Sequence, residues 1–139
     1  MDRDSQLPIG HAWLEILRRP NQEAFAAAFT SDVRLEASVV NIAIVGVERI
    51  RAFFDATRAM YDQIAFVHET HSATRTYLEW AGRYGGREVF GTTILVRDAA
   101  GLIEGIRLYH HPYSQVMAFS ADLARRLAGR VEPGTFPAP

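Results

Sequence analysis

Two adjacent histidines, His110 and His111, stand directly before Pro112. Histidine is the side chain whose ordinary pKa lies closest to neutrality, so it can both take and give a proton there. The residues leading to the pair alternate as in a strand, and neighbouring side chains of a strand point to opposite faces. One histidine therefore faces any cavity that the strand lines, and the other does not. Two plainer roles stay open, an exposed or capping histidine and a hydrogen bond to a following helix. Glu36 is the second candidate, lying between Leu35 and Ala37 in an alternating segment. If the apolar set packs inward, Glu36 faces solvent. If the cavity lies on the other side, Glu36 is a carboxylate in apolar surroundings with a raised pKa, suited to shuttling a proton.

His68, Glu69 and His71 invite a metal reading. On a strand, however, positions 68 and 71 face opposite ways, and only Glu69 and His71 share a face. The helical histidine pair of zinc proteases is missing as well, so no metal site is expected. Trp13, Tyr61, Trp80 and Tyr109 either fill a core or line a pocket and stack on a flat ligand. Trp13 and Tyr109 are the better pocket candidates, because a buried indole N–H or phenol O–H needs a partner. Thr93 is a strand threonine or a hydrogen-bond donor within a pocket. Phe29, Phe53, His71 and Leu95 complete the expected lining.

The composition removes other mechanisms. The 139 residues include no cysteine, which excludes disulfides, thiolate nucleophiles and cysteine metal sites. All 15 basic residues are arginine, so a Schiff base or a lysine general base is excluded too. With 16 acidic residues the formal net charge is −1, which gives no global attraction to nucleic acid or anionic lipid. Neither a phosphate-binding glycine loop nor a Gly-x-Ser-x-Gly nucleophile elbow is present, and no cofactor is expected. No apolar run reaches the roughly 18 residues that span a bilayer, and the acidic first residues are unlike a secretory signal, so a cytoplasmic protein is expected.

The elements that must position these residues follow from periodicity. Trp13, Ile16 and Leu17 make one stripe of a helix over residues 8–18, ended by Arg18, Arg19 and Pro20. Asn21 is an N-cap for a second helix carrying Phe25 and Phe29 one turn apart, interrupted by Thr30-Ser31-Asp32. Residues 33–38 alternate as a half-buried strand, and 39–45 read as irregular or a short strand. After Gly46 a helix over 47–61 buries Ile50, Phe53, Phe54 and Met60. The period then changes to two, giving strands near 66–74, 76–84, 89–97 and 102–111, with turns at Gly85-Gly86 and Asp98–Gly101. Residues 114–127 read as a closing helix. One domain over 1–128 is expected, followed by a mobile tail over 129–139 with three prolines and two glycines.

This order resembles a known superfamily. Glu23–Phe29, then Thr30-Ser31-Asp32-Val33, then Val45-Gly46 before Val47–Phe54, is similar to the SnoaL-like and ketosteroid-isomerase-like members of the nuclear transport factor 2-like superfamily. The closing strand Gly105–Pro112 resembles their "tyrosine-x-aspartate-proline" strand. The resemblance covers residues 8–128. It implies an α+β cone of the cystatin-like kind: three N-terminal helices packed on a strongly curved antiparallel or mixed β-sheet, with a C-terminal helix. It also implies that His111 takes the place of the acid/base aspartate in the polyketide-cyclase-like members. Ala37, with Glu36 beside it, stands where isomerase-like members keep a base, and Thr93 falls near their second oxyanion carboxyl.

The resulting expectation is a homodimer binding a small apolar molecule. His111 would act as the acid/base group, with Glu36 as the second catalytic candidate, in isomerisation, cyclisation or dehydration of a hydrophobic carbonyl compound. The rival is a non-catalytic ligand-binding or dimerisation module pairing through Tyr77, Phe90, Ile94 or Val96. A void below roughly 300 Å³ lies outside the usual ligand range and favours the rival.

Overall fold

The computed structural model describes residues 7–137. Within them run α1 (His11–Leu17), α2 (Gln22–Ala26), β1 (Phe29–Ala37), β2 (Ile44–Val45), α3 (Val47–Met60), β3 (Gln63–His71), β4 (Arg75–Tyr84), β5 (Arg87–Arg97), β6 (Ile103–His111) and α4 (Tyr113–Arg126). The strands form one open six-stranded sheet in the order β2-β1-β6-β5-β4-β3. β1 and β6 run parallel, and every other neighbouring pair is antiparallel. The architecture is thus an α+β mixed sheet with helices before and after its strands.

Local chemistry accounts for most of these boundaries. The Asn21 side chain accepts from the Ala24 N–H at 2.9 Å and caps α2. Gly85 and Gly86 both have positive φ, 60° and 78°, as a tight type I′-like hairpin between β4 and β5 requires. Phe25 and Phe29, spaced like one helical turn, straddle a corner instead: α2 ends at Ala26 and Phe29 opens β1. Their rings still meet at 4.8 Å, so burial of both is satisfied without a continuous helix. Thr30-Ser31-Asp32 accordingly lies inside β1 rather than in a helix break.

One face of the sheet is the core face. Val33 and Leu35 of β1, Leu78 of β4, Leu95 of β5, and Ile106 and Leu108 of β6 are buried on it. Ile50, Phe53 and Phe54 of α3 and Phe119 and Leu123 of α4 join them in one cluster. The register aligns inward-facing rows across the strands, Trp80–Gly91–His110 in one row and Leu78–Thr93–Leu108 in the next.

The segment after residue 128, expected to be mobile from its glycines and prolines, lies against this body over its described part. Val131 and Phe136 pack on the core cluster, and Thr135 is buried. Asn41 N–H donates to the Thr135 carbonyl at 2.7 Å, and Arg49 pairs with Glu132 at 2.9 Å. Replacing both Val131 and Phe136 by alanine is expected to lower unfolding stability by about 2 kcal/mol, from the apolar surface each side chain removes from water. Urea denaturation with an unchanged midpoint would mean that the segment does not dock in solution.

Candidate functional site

α1, α3 and the inward faces of β3 to β6 enclose a cavity of about 310 Å³. Trp13, Leu14 and Leu17 come from α1; Phe53, Phe54, Thr57 and Arg58 from α3; Ile64 and Phe66 from β3. Trp80, Thr93, Leu108 and His110 rise from the sheet, Tyr61 follows α3, and Arg18 follows α1. The wall is mostly apolar, and no carboxylate among the described residues lies on it. Each end of α1 is tied down. The Gly10 N–H donates to Glu69 Oε1 at 2.7 Å, and Arg58 donates to the Leu17 carbonyl at 3.3 Å.

The polar centre of the wall is His110. Tyr61 Oη lies 2.9 Å from its Nε2. On the other side, Ser38 Oγ lies 3.2 Å from its Nδ1 and accepts the His110 backbone N–H at 3.0 Å. The ring packs edge-on to Trp80 at 4.9 Å and against Phe119 at 5.6 Å. Removal from water in these aromatic surroundings lowers its pKa to about 4, so the imidazole is neutral at physiological pH. Burial likewise raises the Tyr61 pKa, and the phenol keeps its proton. Ser38 is exposed. A continuous line of exchangeable protons therefore runs from the cavity through Tyr61 and His110 to a hydroxyl in contact with solvent.

Gly91 makes room for this arrangement. A Cβ built there would meet Trp80 Cε2 at 2.5 Å and the Tyr109 carbonyl oxygen at 2.7 Å. The indole lies over the missing side chain and backs the imidazole, as strand glycines permit at close approaches.

His111 lies outside the cavity. It is exposed on the opposite face and stacks on Phe90 with ring centroids 5.2 Å apart. The expectation that His111 rather than His110 faces inward is corrected by strand parity: Ile106, Leu108 and His110 share the core face, whereas Arg107, Tyr109 and His111 share the other. Tyr109 accordingly borders an open outer groove with Val67, Glu79, Phe90 and His111. Glu36 is exposed on the outer face too, in a polar cleft with Arg34, Glu104 and Arg107. Its distance from the cavity follows from the inward packing of Leu35.

Of the remaining candidates, Trp13, Phe53, Tyr61, Trp80 and Thr93 lie on the cavity wall. Phe29 and Leu95 are buried in the core cluster and do not reach it. His71 sits at the sheet edge, where its Nε2 meets Glu69 Oε2 at 2.6 Å and its Nδ1 meets Thr76 Oγ1 at 3.1 Å. Nothing in the types of Ser38, Gly91, Arg18 and Arg58 marked them in the sequence. His110 was detectable, since it continues the apolar parity of Ile106 and Leu108.

No protein-family model matches the sequence, and no curated protein does. Solved structures do match. A bacterial protein of cystatin-like fold from Silicibacter pomeroyi superposes with a TM-score of 0.74 at 16% identity, over 84% of this chain and 82% of that one. A steroid delta-isomerase from Pseudomonas aeruginosa gives 0.71 at 19%, over 85% and 88%. A de novo designed protein with a curved β-sheet gives 0.66 at 19%, over 90% and 98%. The chain thus has the cystatin-like fold shared by ketosteroid-isomerase-like and SnoaL-like proteins. At these identities the likeness concerns architecture and leaves the chemistry to the site. No helix among the described residues is long and apolar enough to cross a membrane.

The buried imidazole has a thermodynamic signature. Its folded pKa of about 4 lies below the ordinary value of 6.5, so the unfolded chain takes up a proton first as pH falls. Stability is then lost between roughly pH 6.5 and pH 4, by on the order of 3 kcal/mol from this group. Unfolding of His110→Gln, compared with the parent at pH 7 and pH 4.5, is expected to show a smaller acid loss. Equal losses in both proteins would mean that His110 titrates normally.

Proposed function

We propose that the protein binds a small, mainly apolar carbonyl or hydroxyl compound in the cone and transfers a proton at its oxygen without a cofactor. The observation that carries this reading is the 2.9 Å contact between Tyr61 Oη and His110 Nε2 on an otherwise apolar wall. Tyr61 donates its O–H to the ligand oxygen. As that proton moves, Nε2–H replaces it on Tyr61, and Nδ1 takes a proton from Ser38, which recovers one from water. The reverse sequence removes a proton from the ligand. The ring changes tautomer and no group carries net charge in the resting states, which suits the depressed His110 pKa and the raised Tyr61 pKa. A single proton-handling point favours reactions whose demanding step is at oxygen, namely cyclisation or dehydration, over proton shuttling between two carbons.

A second reading has its own support. With no carboxylate on the described wall, the cavity also suits plain ligand binding. Its volume of about 310 Å³ sits at the small end of the range for ligand sites and leaves the two readings level. Thermal-shift screening of carbonyl and alcohol compounds, followed by NMR of the hits with enzyme, separates them. Under the catalytic reading Tyr61→Phe and His110→Gln bind the hits but slow turnover by about 10²-fold or more. Binding without turnover in the parent protein would leave the binding module.

We propose that two copies pair through the outer sheet face, where Val67 and Tyr109 are 45% and 47% exposed beside Phe90. Tyr77, Ile94 and Val96 alternate with the buried Leu78, Thr93 and Leu95 and so share that face. Tyr109→Glu is expected to convert a dimer to a monomer in light scattering, whereas a parent protein already monomeric would remove the proposal.

A further inference from the structure

The cavity's charge is as informative as its shape. Arg18 and Arg58 both line it and both are exposed, so the cavity meets solvent between them. Arg58 is held there by its bond to the Leu17 carbonyl and by Asp55 at 3.0 Å, which offsets part of its charge. Arg18 follows the last turn of α1 and takes part in no ion pair among the described residues. The rest of the described wall supplies neutral groups only: apolar side chains, two threonines, the Tyr61 phenol and the neutral His110. A ligand filling this space has two exposed arginines, Arg18 and Arg58, at its solvent end. A neutral end would displace their water and return little, whereas a carboxylate returns charge-assisted, fork-shaped hydrogen bonds.

We propose that the natural ligand is a small apolar carboxylic acid, its carboxylate held at the mouth by Arg18 and Arg58 and its carbonyl or hydroxyl group turned toward Tyr61. The proposal rests on the reading of this cavity as a ligand site and narrows it to one class of compound. Size narrows it further. The cavity of about 310 Å³ holds about ten waters' worth of space, hence a skeleton of about ten to fourteen heavy atoms. Polycyclic ligands of steroid size exceed that. The anionic end stays in the solvent-exposed mouth, where a charge is cheap to keep, while the apolar body takes the dry interior.

The test uses matched pairs, each a carboxylic acid and its primary amide, on phenylalkyl, monoterpene and medium-chain alkyl skeletons of that size. 3-Phenylpropanoate and 3-phenylpropanamide are the first pair. Binding to the full chain is measured by calorimetry at low salt. The acids are expected to bind about tenfold more tightly than their amides, as for one charge-assisted contact to a half-exposed guanidinium. Half-molar sodium chloride should shrink that preference through screening. Arg18→Gln and Arg58→Gln should each reduce that acid-over-amide ratio several-fold, the ratio being taken within each variant. Arg18→Gln is the cleaner variant, because Arg58 also ties α1 to α3. Equal binding of acid and amide in the parent, or an acid preference that survives the double variant, overturns the proposal. In that case the reading of the cavity as a site for neutral carbonyl compounds still stands. If no pair binds and neutral ketones fail too, both fall together.

Discussion

One buried imidazole sets the terms for the whole site. A histidine ring placed among Trp80, Phe119 and Tyr61 loses its water on most sides. Such a ring is tolerated only if its two nitrogens find partners. Here they do, with a phenol on the cavity side and a serine hydroxyl on the solvent side. The two hydroxyls can satisfy either neutral tautomer, and removal from water penalises the imidazolium. Removing Ser38 would leave Nδ1 without that partner; removing Tyr61 would do the same to Nε2. The polar chemistry of the cavity is therefore a consequence of satisfying one desolvated side chain.

Much of the fold could be read from the sequence because it is governed by short-range rules. The helix after Gly46, the four strands from β3 to β6 and the closing helix all follow from period and turn residues, and the structure moves their ends by a few residues at most. Where the reading departs, a long-range contact has overridden a local pattern. Phe25 and Phe29 carry helical spacing, yet Ile103 N–H bonds the Ala28 carbonyl and draws Phe29 into the sheet beside β6. Val131 and Phe136 sit among flexible residues, yet the core offers them an apolar surface. Neither effect leaves a trace in the segment itself.

The site was legible to a different degree. Strand parity alone says that one of His110 and His111 faces inward, and the resemblance of the strand end to a proline-flanked acid/base position points to His111. Parity carried back to Ile106 and Leu108 selects His110 instead, because those side chains need the core more than Arg107 or Tyr109 does. The partners of His110 were beyond such reasoning. Ser38 lies one residue past β1, and its hydroxyl reaches His110 because β1 runs parallel to β6, a pairing that no local pattern specifies. Gly91 looks like any strand glycine until the Trp80 indole is seen lying across it.

The same limits explain how charge is distributed along the cavity. Apolar surroundings raise the cost of any ionised group, and the polar groups of the inner wall are hydroxyls and a neutral imidazole. Net positive charge is confined to two arginines in contact with water, where desolvation costs least. α1 links the two regions: its beginning is fixed to Glu69, its end to Arg58, and its inward side chains Trp13 and Leu17 complete the apolar wall between them. A seven-residue helix has little stability of its own. Its position therefore depends on those two polar ties and on the aromatic contacts of Trp13 with Phe29 and Phe54. A ligand of the kind proposed would pack against that wall, so its binding and the seating of α1 would stabilise each other.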